Sequence, residues 1–198
     1  MTSICQPQPP IALVVAGIAG SGKSTLGAAL ARSLRAPVLD LDSLTNPLLD
    51  RLDDVLEEHW LSGPHGVRIR EGRYAALRRT AADVLDSAGL VVLVAPFTAE
   101  LRGGDEWERL RAELAPARVR VIHLDGDPAL FAARRALRDE SRDAHRPPDP
   151  EVSAVGVPVI RVDAERATEQ QLASVLAELG SLVSVAPDDL ASGRQRLE

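Results

Sequence analysis

The chain has 198 residues, of which 45% are apolar and only 3% are aromatic. This length and composition predict one domain with a single core of aliphatic side chains, and a broad aromatic surface is not expected. The formal net charge of −6 excludes a global positive field that would attract nucleic acid or an anionic membrane. Any phosphate site must therefore be local.

Export and membrane insertion are not expected. Residues 1–10 lack a basic stretch followed by an apolar one, and no apolar run approaches the roughly 18 residues of a membrane span. Cys5 is the single cysteine, so an intramolecular disulfide is impossible, and no Cys/His cluster has the spacing of a zinc site. We expect a cytoplasmic protein, monomeric or homodimeric, whose partner is a small molecule rather than nucleic acid or a membrane.

Strand-like and helix-like segments alternate along the chain. Val and Ile run almost continuously through the strands, as in strands that are buried on both faces. The alternation predicts an α/β fold, a parallel sheet covered by helices on both sides. The strands are predicted at 11–16, 37–42, 90–97, 119–124 and 157–162, and the helices at 23–34, 48–60, 70–87, 106–114, 128–140 and 168–179.

One domain is predicted over residues 1–180. Residues 141–156 are polar and contain three prolines, which fits an exposed loop, and with the end of the preceding helix they predict a lid at about 134–156. The tail, residues 181–198, lacks a clear periodicity of apolar residues and is predicted to be partly disordered.

The first predicted strand runs into a phosphate-binding loop. The sequence that follows it matches G-x-x-x-x-G-K-[ST] and leads into a helix, which is the context that this motif requires. Glycines let backbone N–H groups turn inward, and the helix start adds a positive end, so the loop is predicted to bind the phosphates of ATP. Lys23 would reach the outer phosphates, and Ser24 would place its hydroxyl on Mg²⁺. The loop and its helix start comprise Gly17, Ile18, Ala19, Gly20, Ser21, Gly22, Lys23, Ser24 and Thr25.

Two acidic residues close the second predicted strand, in the sequence Asp40-Leu41-Asp42. Residues two apart on a strand point to the same side, so both carboxylates would face the crevice at the carboxyl edge of the sheet, beside the phosphate loop. One would hold Mg²⁺ through water, and the other would orient or deprotonate a substrate hydroxyl. The alternative is that one or both cap the next helix.

The rest of the chain narrows the class of nucleotide-binding protein. The strand at 90–97 ends without the aspartate that many motor ATPases carry there, and no guanine-selecting N-K-x-D sequence is present. A small kinase that moves the γ-phosphoryl group of ATP to a hydroxyl is therefore favoured. A nucleotide or nucleoside kinase and a regulatory ATP-binding module are the alternatives.

The phosphate loop, the D-x-D segment and an arginine-rich helix before the lid resemble small-molecule P-loop kinases, namely gluconate kinase, shikimate kinase and chloramphenicol phosphotransferase. The resemblance runs from about residue 11 to residue 179 and implies a P-loop NTPase sheet of five parallel strands in the order 2-3-1-4-5. The resemblance also implies that Asp40 contacts the hydrated Mg²⁺ and that Asp42 contacts the acceptor hydroxyl, although these roles could be exchanged. The glycine triplet of shikimate kinase and the gluconate kinase signature are missing, so the acceptor is not implied.

Arginines are spaced by four at the end of the predicted helix 128–140. Arg134, Arg138 and Arg142 form a row, with Arg135 beside it. A guanidinium on a closing lid stabilises the charge on a phosphoryl group in transfer, and the alternative is a solvated face paired with acidic neighbours. The resemblance favours Arg134 and Arg138 as catalytic residues and Arg134 as an ATP ligand.

The acceptor pocket is predicted from the segment between strands two and three, which is basic for an acidic chain. Arg70 or Arg73 is hypothesised to pair with a carboxylate or phosphate of the acceptor, since arginine binds either group in a bidentate manner. The alternative is a surface helix with scattered charges. Thr98, Glu100 and Arg102, which follow strand three, are further candidates for the pocket.

Overall fold

A computed structural model describes residues 9–52, 55, 65–137 and 155–180. Five parallel strands form one sheet in the order β2-β3-β1-β4-β5. The predicted α/β class and the predicted strand order are therefore confirmed. The strands are β1 (Ile11–Ala16), β2 (Val38–Asp40), β3 (Leu90–Val94), β4 (Arg118–Asp125) and β5 (Val159–Asp163).

Helices cover both faces of the sheet. On one face, α3 and α4 bury Leu77 and Leu110 against the strands, and on the other, α1 and α6 bury Leu30 and Val175. The central strand β1 is thus enclosed on both sides, which is why it reads as a continuous apolar run. The helices are α1 (Lys23–Leu34), α2 (Leu41–Leu49), α3 (Gly66–Ala88), α4 (Asp105–Glu113), α5 (Pro128–Ala136) and α6 (Thr168–Leu179), with a 3-10 turn at Glu100–Arg102.

The boundary predicted after the second strand is wrong. Strand β2 ends at Asp40, and α2 begins at the next residue, so Asp42 lies in the first turn of a helix. The cause is the Asp40 side chain, whose Oδ1 accepts hydrogen bonds from the N–H groups of Asp42 and Ser43 at 3.0 and 3.4 Å. This is helix capping, and it starts the helix at residue 41 rather than at the predicted residue 48.

The third strand is also shorter than predicted. It ends at Val94 rather than at residue 97, because the chain turns there and Phe97 adopts a left-handed φ of 50°. The Tyr74 hydroxyl of α3 accepts a hydrogen bond from the Phe97 N–H at 3.1 Å, and the two rings pack edge to face with centroids 5.7 Å apart. Tyr74 therefore fixes the turn that carries the predicted residues Thr98 and Glu100.

Several predictions concern segments outside the described residues. These are the second half of the helix predicted at 48–60, the arginines Arg138 and Arg142, most of the lid and the tail 181–198. The domain limits likewise stay predictions. Among the helices that the structure describes, none is both long enough and apolar enough to cross a membrane.

Candidate active site

The phosphate loop connects β1 to α1, as the motif predicts. Helix α1 begins at Lys23 after Gly22, which has a left-handed φ of 93° and no side chain to cap the helix. The first N–H groups of a helix lack partners within it, so this uncapped start suits an anionic group. Ser21 is fully buried, and its hydroxyl has no hydrogen-bond partner in the described part of the chain. These features fit the phosphates of ATP.

The loop packs closely against α5. Gly20 has a φ of 82°, and a Cβ at this position would collide with the carbonyl oxygen of Phe131. Glycine alone meets both conditions without strain. From the same helix, Nη1 of Arg135 donates a hydrogen bond to the carbonyl oxygen of Ala19 at 2.8 Å. Helix α5 therefore supports the loop from one side.

Ser24 and Asp40 meet directly. The Ser24 hydroxyl donates to Oδ2 of Asp40 at 2.8 Å, while Oδ1 of the same carboxylate caps α2. Asp40 thus caps a helix, as the alternative interpretation held, and also lies beside the phosphate loop. Hydroxyl and carboxylate oxygens are ligands that Mg²⁺ prefers, together with phosphate oxygens and water. The pair therefore fits a magnesium ion bound with a nucleotide.

Asp42 is held by Arg73 of α3. Nη2 of Arg73 donates to Oδ1 of Asp42 at 2.6 Å and to Oδ1 of Asn46 at 2.8 Å, and Nε donates to Oγ1 of Thr45 at 2.7 Å. The Arg73 side chain is 10% exposed and that of Asp42 is 46% exposed. Oδ2 of Asp42 accepts no hydrogen bond from the residues that the structure describes. A half-exposed carboxylate with one fixed oxygen therefore lies in the first helical turn after β2.

Arg70 contacts the turn that follows β3 instead. Its Nη2 donates to Oγ1 of Thr98 at 3.0 Å, and its guanidinium carbon lies 5.5 Å from the centroid of the Tyr74 ring. Arg70 is exposed and Thr98 is half-buried. Two residues predicted to line the acceptor pocket are thus brought together, with the cation stacked on an aromatic face.

Glu100 is a buried acid close to Arg70. It is 4% exposed, and its Oε2 has no partner among the described residues. Burial raises the pKa of its carboxyl and Glu106 adds to this, whereas its own backbone N–H and the positive charges of Arg70 and Arg78 lower it. The carboxyl therefore holds its proton to a higher pH than an exposed glutamate does.

Replacing Glu100 by glutamine should stabilise the protein increasingly as the pH rises. Because the folded-state pKa is raised, the stability tied to the protonated acid is complete below the ordinary value of 4.5 and is lost as the pH rises through the folded-state pKa. Glutamine does not titrate, so the variant escapes that loss. Urea unfolding at several pH values measures the difference, with Glu108→Gln, whose side chain is 64% exposed, as the control. A difference that does not change with pH would contradict the expectation.

The predicted lid arginines have different positions. Arg134 is half-buried and makes no hydrogen bond or ion pair with any residue that the structure describes, whereas its neighbour Arg135 contacts the phosphate loop. From the sequence, Arg135 lies beside the row of arginines and no role is predicted for it. The contact of Arg135 depends on how α5 is rotated against the loop, and the sequence does not specify this rotation. The close approach of Phe131 to Gly20 sets it.

A protein-family model described as an AAA domain matches residues 13–154. The chain belongs to this AAA domain family. The matched region of the AAA domain includes the phosphate loop, Asp40, Asp42 and α3. A comparison with curated proteins gives no match.

Solved structures of several kinases share the fold of this AAA domain. A candidate kinase from Chloroflexus aurantiacus is 22% identical, with 88% of this chain and 98% of that chain covered and a TM-score of 0.65. A gluconokinase from Sinorhizobium meliloti is 22% identical, with 89% and 95% covered and a TM-score of 0.54. An APS kinase from Mycobacterium tuberculosis, in complex with AMPPNP and APS, is 22% identical, with 88% and 99% covered and a TM-score of 0.58. The resemblance to small-molecule P-loop kinases is confirmed at the level of fold.

Proposed function

We propose that this protein is an ATP- and Mg²⁺-dependent phosphotransferase that moves the γ-phosphoryl group of ATP to a hydroxyl of a small molecule, such as a sugar acid, a polyol or a natural-product-like acceptor. The observation that carries the proposal is the contact of Ser24 with Asp40 at 2.8 Å, with half-exposed Asp42 in the adjoining helical turn. A phosphate loop, a pair of oxygen ligands and a candidate base thus share one edge of the sheet. The P-loop kinase fold supports the same activity.

The nucleotide is assigned to the phosphate loop. Lys23 would contact the outer phosphates, and Ser24 and Asp40 would hold Mg²⁺, which neutralises phosphate charge when it is bound. The glycines leave room for close approach of the phosphates, and the uncapped start of α1 offers N–H donors. The residues assigned to ATP are Gly17, Ala19, Gly20, Ser21, Gly22, Lys23, Ser24 and Thr25.

Asp42 is assigned as the group that receives the acceptor proton. The acceptor oxygen forms a bond to the γ-phosphorus, the bond from that phosphorus to the bridging oxygen of ADP breaks, and the hydroxyl proton passes to Asp42. The fixed orientation of its carboxylate supports this role. If Asp40 and Asp42 exchange roles, Asp40 would take the proton instead.

Arginines of α5 and the lid are assigned to stabilise the negative charge on the phosphoryl group during its transfer. Arg134 and Arg138 are the catalytic candidates, and Arg134 also the ATP ligand. The hydrogen bond of Arg135 to Ala19 supports the assignment of Arg134, because it shows that α5, which carries both residues, packs against the loop. Positive charge held near the phosphates stabilises the transition state more than the ground state.

Arg70 and Thr98 are assigned to the acceptor, with Arg70 on an anionic group. Arg70→Ala should raise the acceptor KM by about 10- to 100-fold, because a hydrogen bond to a charged group is worth about 1.5–3 kcal/mol. The kcat of this variant should change little. Steady-state kinetics measure both constants, with the exposed Arg68→Ala of the same helix as the matched control. An unaltered KM in Arg70→Ala would exclude this acceptor contact.

Two other functions use the same fold. A nucleoside or nucleotide kinase would show turnover with a base-bearing acceptor. Only 3% of the residues are aromatic, so few side chains could stack on a base. A regulatory ATP-binding module would bind ATP without any acceptor that raises turnover. Measurement of ADP formation with and without acceptors tests the proposal and separates these alternatives.

A further inference from the structure

Arg73 connects the two helices on the acceptor side of the site. Nε and Nη2, which form one edge of its guanidinium, both donate to side chains of α2. Arg70, one turn earlier on α3, donates instead to Thr98, in the turn that follows β3. The two arginines predicted as alternatives for one acceptor contact therefore have different partners.

The partners of Arg73 form one face of α2. Asp42, Thr45 and Asn46 are spaced by three and four residues, which places them side by side on a helix. Thr45 donates its own hydroxyl proton to the carbonyl oxygen of Leu41 at 2.6 Å, so its oxygen is left to accept from Nε of Arg73. The planar guanidinium thus spans the first turn of α2, and its side chain is only 10% exposed.

We propose that Arg73 is a positioning residue that fixes the carboxylate of Asp42 at the acceptor edge, and that it does not bind the acceptor itself. The inference rests on the proposed function, in which Asp42 receives the acceptor proton. An acceptor ligand would direct paired donors to the bound anion, whereas Arg73 directs an edge of its guanidinium into α2. Its action on the reaction therefore passes through Asp42.

Kinetics separate positioning from acceptor binding. Arg73→Met should lower kcat by about 100-fold, which is the cost of a misplaced catalytic group, and should leave the acceptor KM nearly unchanged. Arg73→Lys should recover part of the lost kcat because lysine can still pair with Asp42. Arg79→Met is the control, since Arg79 lies on the same helix and pairs with Asp83 at 2.9 Å on the surface. A raised acceptor KM at unchanged kcat would overturn the proposal.

A double-mutant cycle tests whether Arg73 acts through Asp42. In an Asp42→Asn background, the change Arg73→Met should cause no further loss of kcat, because the group that Arg73 positions has already been removed. If the double variant loses kcat by the product of the two single factors, Arg73 acts independently of Asp42, which would overturn the proposal. If Arg73→Met does not fold, Thr45→Val can replace it in the test. This change removes one contact of Arg73 and should also lower kcat, by a smaller factor.

Hydrogen exchange gives a readout that needs no acceptor. Amides of residues 41–49 should exchange several-fold faster in Arg73→Met than in wild type, and should be unchanged in Arg70→Met and Arg79→Met. Unchanged exchange in Arg73→Met would overturn the positioning role even if the enzyme were active. Faster exchange in a protein that shows no acceptor-dependent turnover would leave the positioning of Asp42 standing and refute the proposed function alone.

Discussion

Lys23→Ala should reduce acceptor-dependent ADP formation by about 1,000-fold, which is the upper range for removing one fixed donor to developing charge. Lys23 is the first residue of α1 and would place its charge on the outer phosphates of ATP. Alanine is the best helix former, so the start of α1 should be retained. Initial rates at saturating ATP and acceptor measure the effect.

The control for this change is the stability of the variant. Without nucleotide, the thermal unfolding midpoint of Lys23→Ala should match that of wild type. ATP should raise the midpoint of wild type, and this stabilisation should be largely lost in the variant. Lys23 is also the only lysine in the chain, so reductive ¹³C-methylation marks one side chain besides the amino terminus. That single NMR signal should shift when ATP is added, and a signal that does not respond would contradict contact between Lys23 and the nucleotide.

Asp42→Asn should lower kcat by about 100- to 10,000-fold, the usual contribution of a positioned acid or base. Asparagine keeps an oxygen for the hydrogen bond from Arg73, so the first turn of α2 should persist, but it cannot accept the acceptor proton. Steady-state kinetics measure kcat, with the exposed Asp86→Asn of α3 as the matched control.

The two aspartates are distinguished by their response to magnesium. Asp40→Asn should raise the Mg²⁺ concentration needed for half-maximal activity, because Asp40 contacts the Ser24 hydroxyl, whereas Asp42→Asn should not. The opposite pattern would exchange the roles of the two residues. Activity of Asp42→Asn near the wild-type level, with no change in the Asp40 variant, would exclude both as the proton acceptor.

The phosphate loop and the strand order could be predicted from the sequence because their signals are local. A contiguous motif between a strand and a helix defines the loop, and alternating apolar segments define the parallel sheet. The placement of Asp42 could not be predicted in the same way. Its assignment to a strand left helix capping as the alternative, and Asp40 does cap α2, since an aspartate is among the preferred residues for that position.

The contacts of the arginines depend on how the helices pack, which no local pattern specifies. Arg70 and Arg73 are three residues apart, yet one contacts Thr98 and the other contacts α2. The spacing of Asp42, Thr45 and Asn46 would have indicated a common partner only after the correct start of α2 was known. Likewise, the contact of Arg135 with Ala19 follows from the docking of α5 on the loop.

The most direct test of the kinase proposal is ADP formation from ATP and Mg²⁺ with a panel of sugars, sugar acids, polyols, amino alcohols, antibiotics and nucleosides, with Lys23→Ala as the blank. We expect ADP to form with one class of hydroxylated acceptor, in equal amount to the phosphorylated product, and not in the blank. ATP binding at Lys23 together with ADP formation that no acceptor increases would contradict phosphoryl transfer and favour a regulatory ATP-binding module.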